Sequence, residues 1–320
     1  MRRPGIIVVS HNSGDVIGEC LDAALETGAD LLVVDNASTD ATVAEVKRRP
    51  GVRLIVNPAN AGFAGAVNQG VRILNNQALL LLNPDAVLQT SLEPLLDALA
   101  EPGVGAAAGK LTGPDGRPQR GFAVRRFPTP AALAFESLGL NRLWPGNPVN
   151  RRYRCLDLDL EQPGEVEQPA GALLMFRREA WEKVGGFDER FHPLWFEDVD
   201  FLLRLHRAGY RIRYTPGTWA VHQGAHSVEK LPPERRQAYW YGSLLEYAAK
   251  HYSPGGRAVV ALAVLFGAAM RMLAAAALGR KAHSTPGYGR VMRQAVSFLA
   301  RGLRRQRAPA ASSTTSCPMV

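Results

Sequence analysis

Five side chains between residues 35 and 222 have the types and neighbours that chemistry on an activated phosphate ester would need. The first is Asp85, which follows the apolar run of LLLLNPDAVL, residues 79–88. A carboxylate at the mouth of a buried strand costs roughly several kcal/mol if it stays charged and unpaired. A divalent cation would compensate it, because one or two carboxylates completed by water and substrate phosphates are the usual way of holding Mg2+ or Mn2+. Such an ion would also stabilise a departing diphosphate as a Lewis acid. Read without a ligand, Asn83-Pro84-Asp85 is a turn, and Asn83 is at most a weak or water-mediated metal ligand.

Glu197 and Asp198 lie in HPLWFEDVDFLLRLHRAGY, residues 192–210, with Asp200 two residues on. Acids at a helix start are favoured by the helix dipole, which accounts for one or two of the three. The preceding Trp195 and Phe196 form an apolar wall that would raise a neighbouring carboxylate toward the range of a general base, with Asp198 as the candidate. Asp35, in VVDNASTDAT, suits either a contact to a base or ribose or simple turn chemistry with Asn36, Ser38, Thr39 and Asp40. His222, at the end of a strand in VHQGAHSV, could complete a metal site as a neutral imidazole or serve as a structural histidine. His226 in the same segment has no assigned role.

These residues need elements that bring them together. Apolar runs at Gly5–Val9, Leu31–Val34, Leu54–Val56 and Leu79–Leu82 suit strands buried on both faces, and helical segments at 16–26, 41–48 and 63–74 separate them. This alternation predicts a mostly parallel α/β sheet sandwiched by helices, with the ligand crevice beyond the carboxyl ends of the strands. His11, Asn12, Asp35, Asn57 and Asp85 all fall there. Thr90-Ser91-Leu92-Glu93 reads as a capping box before a helix with Leu92, Leu95, Leu96 and Leu99 on one face. Residues 112–165, rich in Gly, Pro and Arg, read as mobile loops around the site. Order returns with a strand at 171–176, a helix at 178–184 stopped by Gly185-Gly186, a helix at about 198–208, and a strand Arg211–Tyr214 that leads through Trp219 to Val221 and His222.

The chain has 320 residues and a net charge of +9, but the excess is local. From His251 onward there are ten Lys or Arg and no Asp or Glu, so the first 250 residues carry about −1. This distribution argues against a nucleic-acid partner and for a nearly neutral globular domain with a basic, apolar-rich extension. Cys20, Cys155 and Cys317 lack metal-type or disulfide spacing. The start, MRRPGIIVVSHNSG, has too short an apolar run for a signal peptide, which predicts a cytoplasmic protein. The expected division is a catalytic domain at 1–235, a helical basic and apolar extension at 236–308, and a disordered tail at 309–320.

Within the extension, Ala258–Gly279 approaches the length of a bilayer span, but Arg271 interrupts it. Surface attachment to anionic lipid through Arg280, Lys281, Arg290, Arg293, Arg301, Arg304, Arg305 and Arg307 is the favoured reading. The competing one is a helical hairpin packed on the catalytic domain or at a homodimer interface.

Taken in order, VVSHNS, VVDNASTDAT, NPANAGFAGAVNQG, LLLLNPDAVL, PAGALLMFRREAWEKVGGFDERF, WFEDVDFLLRLHRAGYR and VHQGAHS resemble the inverting family 2 glycosyltransferases of the GT-A fold, in particular the rhamnosyltransferase-like branch. The resemblance spans about residues 5–228. It implies a GT-A (Rossmann-like) sheet, a donor nucleotide site at Ser10, Asn12, Asp35, Asn60, Gly62, Asn68 and Asn83, and a D-x-D metal motif at 83–85. It further implies an acidic pair, Glu197-Asp198, that contains the catalytic base, and His222 as a metal ligand. The first acid of D-x-D is Asn83 here, which shifts the burden of metal binding to Asp85 and the donor phosphates.

The resemblance implies a single displacement with inversion, from a nucleotide sugar, with deoxythymidine-diphosphate rhamnose the first choice and UDP-linked hexoses behind it. The acceptor would be a hydroxyl of a saccharide or lipid-linked saccharide used in cell-envelope polysaccharide or glycolipid synthesis, at the inner face of the plasma membrane. Two alternatives are a sugar nucleotidyltransferase, which would need a basic Gly-rich loop that Ser10–Asp15 lacks, and a non-catalytic membrane-bound binding protein. A Rossmann dehydrogenase is disfavoured because no G-x-G-x-x-G follows the first strand.

Overall fold

A computed structural model describes residues 3–224, 230–277 and 285–307. His226, Arg280, Lys281, Cys317 and the 309–320 tail lie outside the described residues. In chain order, β1 (Gly5–Ser10), α1 (Ile17–Glu26), β2 (Asp30–Asp35), α2 (Thr42–Lys47), β3 (Arg53–Val56), α3 (Gly62–Ile73) and β4 (Ala78–Leu82) alternate as the apolar runs predict. β5 (Ala86–Leu88), α4 (Glu93–Ala100) and β6 (Val104–Thr112) follow.

The segment expected to form mobile loops is instead built structure. It holds β7 (Val124–Arg125), α5 (Pro130–Leu138), α6 (Leu140–Leu143), α7 (Pro148–Tyr153) and β8 (Gly164–Glu165). Thr129 caps α5 by accepting from the Ala132 N–H, and Gly139 ends it in the left-handed region. Short elements of this length leave too few repeats for a periodic signal. After β9 (Gln168–Pro169) come β10 (Leu173–Arg177), α8 (Arg178–Val184), α9 (Glu197–Arg207), β11 (Arg211–His222) and three long helices, α10 (Pro233–His251), α11 (Pro254–Ala277) and α12 (Thr285–Arg307).

The main sheet runs β3-β2-β1-β4-β10-β6-β11-β5, with β8 on β11. The parallel order expected from strand–helix alternation holds for β3, β2, β1 and β4. Beyond β4 the sheet is mixed, since β10 is antiparallel to both its neighbours and β6 and β11 are a parallel pair. One apolar cluster lies under each face, around Ile6, Val8 and Leu80 on one side and Ile7, Leu81 and Phe176 on the other. The register Val8↔Leu82 and Ser10↔Asp35 brings the polar ends of three strands to one edge. The Thr90–Glu93 capping box does not form. Leu92 is the N-cap without a side-chain bond, and the Thr90 hydroxyl accepts from the Trp219 N–H at 3.0 Å, tying the helix start to β11.

The long C-terminal helices dock on this body through a third core, in which Val260 and Val264 of α11 and Leu244 of α10 join Leu133, Phe196 and Val199. A Cβ at Gly267 would collide with the Ser137 carbonyl, so glycine lets α11 approach α5 closely. Among the described residues, α11 is the one helix long and apolar enough to cross a membrane, and 33% of its most apolar stretch is buried against the protein.

Candidate active site

A cleft of about 760 Å³ opens beyond the carboxyl ends of β1, β2 and β4. Ser10, His11, Asn36, Asn60, Asn83 and Asp85 line one side, and Gly171 with Trp195–Val199 lines the other. A further arm is walled by Leu133 and Glu136 of α5, Tyr153 and Arg154 at the end of α7, and Arg235, Tyr239 and Trp240 of α10. Asp85, Glu197, Asp198 and His222 therefore share one cleft despite their separation along the chain.

Asp85 and His222 form its buried floor, 6% and 1% exposed. β5 and β11 pair Ala86 with His222, which sets His222 Nε2 3.4 Å from Asp85 Oδ1. Asp85 Oδ2 accepts from the Gly224 N–H at 3.1 Å. Burial pushes the Asp85 carboxyl up, but the His222 contact and the Gly224 N–H outweigh it and hold the group below the usual carboxylate range.

The tautomer of His222 is fixed by Gln119. Gln119 Nε2 donates to the His222 carbonyl at 2.7 Å, so its amide oxygen must face the ring. That oxygen lies 3.0 Å from Nδ1, which must then carry the proton. Nε2 is left toward Asp85 and the Asn83 amide, the latter 3.4 Å away. Phe122 stacks on the other face of the ring at 5.4 Å. A carboxylate oxygen and an imidazole nitrogen turned toward each other suit a borderline divalent cation. Among the described residues, no third acid, His or Cys joins them, so further ligands would have to come from substrate and water, as Mg2+ and Mn2+ accept.

The acidic pair sits where α9 begins. Trp195 and Phe196 both have positive φ, 76° and 69°, a conformation costing about 1–3 kcal/mol for each residue. It turns Glu197 and Asp198 into the cleft. Asp198 is half-buried, and both its oxygens accept backbone N–H groups, Oδ2 from Gly171 at 3.0 Å and Oδ1 from Val199 at 2.8 Å. Burial raises its carboxyl, opposed by those N–H groups and by the nearby Arg125 charge. Glu197 is 6% exposed, and its Oε2 has no hydrogen-bond partner among the described residues. Burial, reinforced by the Asp198 charge, pushes it well above the ordinary value. The two acids are thereby set apart, with Asp198 the closer of the two to ionisation. The third acid, Asp200, points away from the cleft into a buried cluster with Arg204, Lys250 and His251.

The expected donor-site residues divide. Ser10, Asn60 and Asn83 line the cleft, whereas Asn12, Asp35, Gly62 and Asn68 do not. Asp35 is fully buried and accepts from Ser10 Oγ at 2.8 Å and from the Ser38 N–H and hydroxyl, so its carboxylate braces the loop. Asn12, at φ 53°, accepts from the Thr39 N–H at 2.8 Å. Gly62, at φ 77°, lies against His192 and Pro193, and its carbonyl takes the Asn36 amide at 3.1 Å. Asn68 is bonded to Phe187 on both its amide ends and joins α3 to the turn after α8. Asn36, not singled out from the sequence, is the neighbour of Asp35 that reaches the cleft.

Sequence reasoning also missed Gln119, Phe122, Arg125 and Gln168. Arg125 donates from Nε to the Gly121 carbonyl at 2.8 Å and lies 5.9 and 5.8 Å from the Phe122 and Tyr153 ring centres. Gln168, opposite Arg125 in the β7–β9 pair, has a buried Oε1 without a partner. All four come from the aperiodic 112–170 region. A Gln, an aromatic and an Arg at 119, 122 and 125 were the signal available there.

The profile described as glycosyl transferase family 2 matches residues 5–185, and that of glycosyl transferase family group 2 matches residues 153–302. N-acetylglucosaminyl-diphospho-decaprenol L-rhamnosyltransferase of Mycobacterium tuberculosis is 33% identical over 264 residues, covering 77% of this chain and 84% of that protein. Two solved structures share the fold. The mannosyltransferase PcManGT from Pyrobaculum calidifontis, in complex with GDP-Man and Mn2+, aligns with TM-score 0.52 and 20% identity over 93% of this chain and 87% of that one. GalNAc-T7 with UDP, GalNAc and Mn2+ aligns with TM-score 0.51 and 14% identity over 69% and 43%.

Proposed function

The chain belongs to glycosyltransferase family 2, and from that premise we propose that it moves rhamnose, with inversion, from dTDP-rhamnose to a hydroxyl of a lipid-linked saccharide. The observation that carries the reading is the convergence of the Asp85–His222 pair and Asp198 on one cleft. The choice of sugar and acceptor leans on the mycobacterial relative, whose name specifies a rhamnosyl donor group and a diphospho-decaprenol acceptor.

Asp198 takes the proton of the acceptor hydroxyl as that oxygen bonds to the anomeric carbon, and the bond from that carbon to the donor diphosphate breaks on the opposite face. The Gly171 and Val199 N–H groups hold the Asp198 oxygens in position for this transfer. Glu197, raised further by burial than Asp198, leaves Asp198 the more readily ionised member of the pair. Asp85 and His222 Nε2 would hold a divalent cation, Mg2+ or Mn2+, which when bound supplies charge neutralisation to the leaving nucleoside diphosphate. Asn60, whose Oδ1 takes the Gly62 N–H, offers its amide N–H groups toward the donor side. Tyr239, Trp240 and Tyr153 offer aromatic faces to the acceptor arm, where sugar rings and an apolar linker would pack. A nearby membrane, on the cytoplasmic side, is the natural location for such an acceptor.

A panel of nucleotide sugars offered to the purified protein with Mg2+ or Mn2+ and a polyprenyl-diphosphate-linked N-acetylglucosamine acceptor tests this. Release of dTDP from dTDP-rhamnose, abolished by Asp85→Ala, is expected. Turnover confined to UDP- or GDP-hexoses would overturn the donor, and absence of turnover with every donor would overturn the enzymatic role.

A further inference from the structure

We propose that the outward face of α11 is a docking surface for an anionic lipid bilayer, with the helix lying on the membrane rather than crossing it. Val259, Leu262, Phe266, Met270 and Leu273 are all exposed, Phe266 at 61% and Leu273 at 67%. Their spacing of three and four residues puts them on one stripe. Leu143 and Trp144, 82% and 62% exposed, stand at the end of α6, the short helix whose start at Gly139 lies beside Arg271 of α11. Among the described residues, ten large hydrophobic side chains are exposed, and only Val56 and Phe122 lie outside this helical region. Clustering of this kind marks a contact surface, whereas scattered apolar residues do not.

Arg271, the one charge within the apolar run, decides how the surface works. Its Nη1 donates to the carbonyls of Ser137 at 2.6 Å and Gly267 at 2.8 Å, and its guanidinium lies over Tyr288. The charge is thus turned into the protein, and the outer stripe carries none. A bilayer span would have to strip α11 from α5 and α12 and expose that arginine to hydrocarbon, whereas surface docking keeps both packed faces.

The charge around the stripe selects the occupant. No Asp or Glu occurs from His251 to the C-terminus, and α12, packed beside α11, exposes Arg290, Arg293 and Arg301. Two copies meeting through these faces would oppose like charges, while an anionic headgroup layer is attracted by about 1 kcal/mol for each basic residue near it. The inner side of α11 shares a core with Leu133, which lines the acceptor arm. If the acceptor is lipid-linked, as proposed above, docking holds that arm next to the bilayer.

Flotation of the full-length protein with vesicles of phosphatidylcholine, with and without phosphatidylglycerol, tests the surface. Binding to the anionic vesicles, weakened by salt, is expected, and the doubly substituted Leu262→Glu, Phe266→Glu protein should bind at least about tenfold more weakly. Both side chains are exposed, so its melting temperature and its turnover of soluble donor should match the unsubstituted protein. The proposal fails if the unsubstituted protein does not float, or if the double variant floats equally well. It also fails if the variant turns a dimer into a monomer on light scattering while vesicle binding is unchanged. None of these results bears on donor turnover, so the docking surface and the glycosyltransfer stand or fall separately.

Discussion

The Gln119 side chain clasps His222 at both ends, its amide nitrogen on the His222 carbonyl at 2.7 Å and its amide oxygen on the ring Nδ1 at 3.0 Å. The carbonyl can only accept, so the amide has one orientation, and that orientation dictates where the imidazole proton sits. A residue with no charge of its own thereby sets Nδ1 as a donor and turns Nε2 toward Asp85.

Gln119→Leu should leave the fold intact and weaken Mn2+ binding by about 10–100-fold, the usual effect of removing a partner that orients a metal-ligating histidine. Electron paramagnetic resonance titration of free Mn2+ reads this without turnover. Unchanged affinity in the variant would show that His222 does not hold the ion.

Asp198→Asn and Asp85→Ala should separate proton removal from donor binding. The first is expected to lower kcat by about 10² to 10⁴ with the donor Kd little changed, as read by calorimetry. The second should damage both. A comparable loss of donor affinity in Asp198→Asn would place that residue in donor binding.

The rate should fall on the acid side at a higher pH than an ordinary aspartate dictates. Burial raises the Asp198 carboxyl, the base is competent only when ionised, and kcat/KM therefore drops as pH falls through a value above about 3.9. Glu197 is raised further, so under the proposed mechanism Glu197→Gln should retain activity to within about tenfold and leave the acid limb in place. If that variant instead removes the limb, the roles of the two acids are exchanged.

Acid should unfold the α9–α10 junction first. Lys250 joins Asp188 at 2.6 Å and Asp200 at 2.7 Å, and Asp200 also meets His251 at 2.7 Å and Arg204 at 2.8 Å. Burial pushes both carboxyls up, but Arg190 and Lys250 at Asp188, and His251, Arg204 and Lys250 at Asp200, outweigh it and hold them below the usual range. A depressed carboxyl contributes stability above its unfolded value, about 3.9, and that contribution is lost as pH falls through the lower folded value. Melting temperature should thus decline steeply below about pH 4. At neutral pH, Lys250→Met should cost about 1–3 kcal/mol, and its melting curve should lose part of the acid dependence. Parallel curves for the two proteins would count against the cluster.

Much of this was legible in the chain itself. β1, β2 and β4 are local apolar runs whose ends need no distant partner to be recognised, and the crevice follows from their alternation with helices. Asp85 and the Glu197-Asp198 pair stand out for the same reason, since each is an acid set against an apolar stretch within a few residues. The chain even shows that its charge is confined to the extension.

Tertiary contact decided the rest. Asp35 and Asn68 look like donor ligands in sequence, yet each is consumed by partners elsewhere, Ser10 25 residues before Asp35 and Phe187 119 residues beyond Asn68. Gln119 acquires its role from a histidine 103 residues away, and the segment that carries it is too short in its elements to show a period. The direction of Arg271 is likewise unreadable from composition. It depends on the Ser137 carbonyl, 134 residues earlier, because a side chain's partners are set by which surfaces the fold presses together and not by the residues beside it.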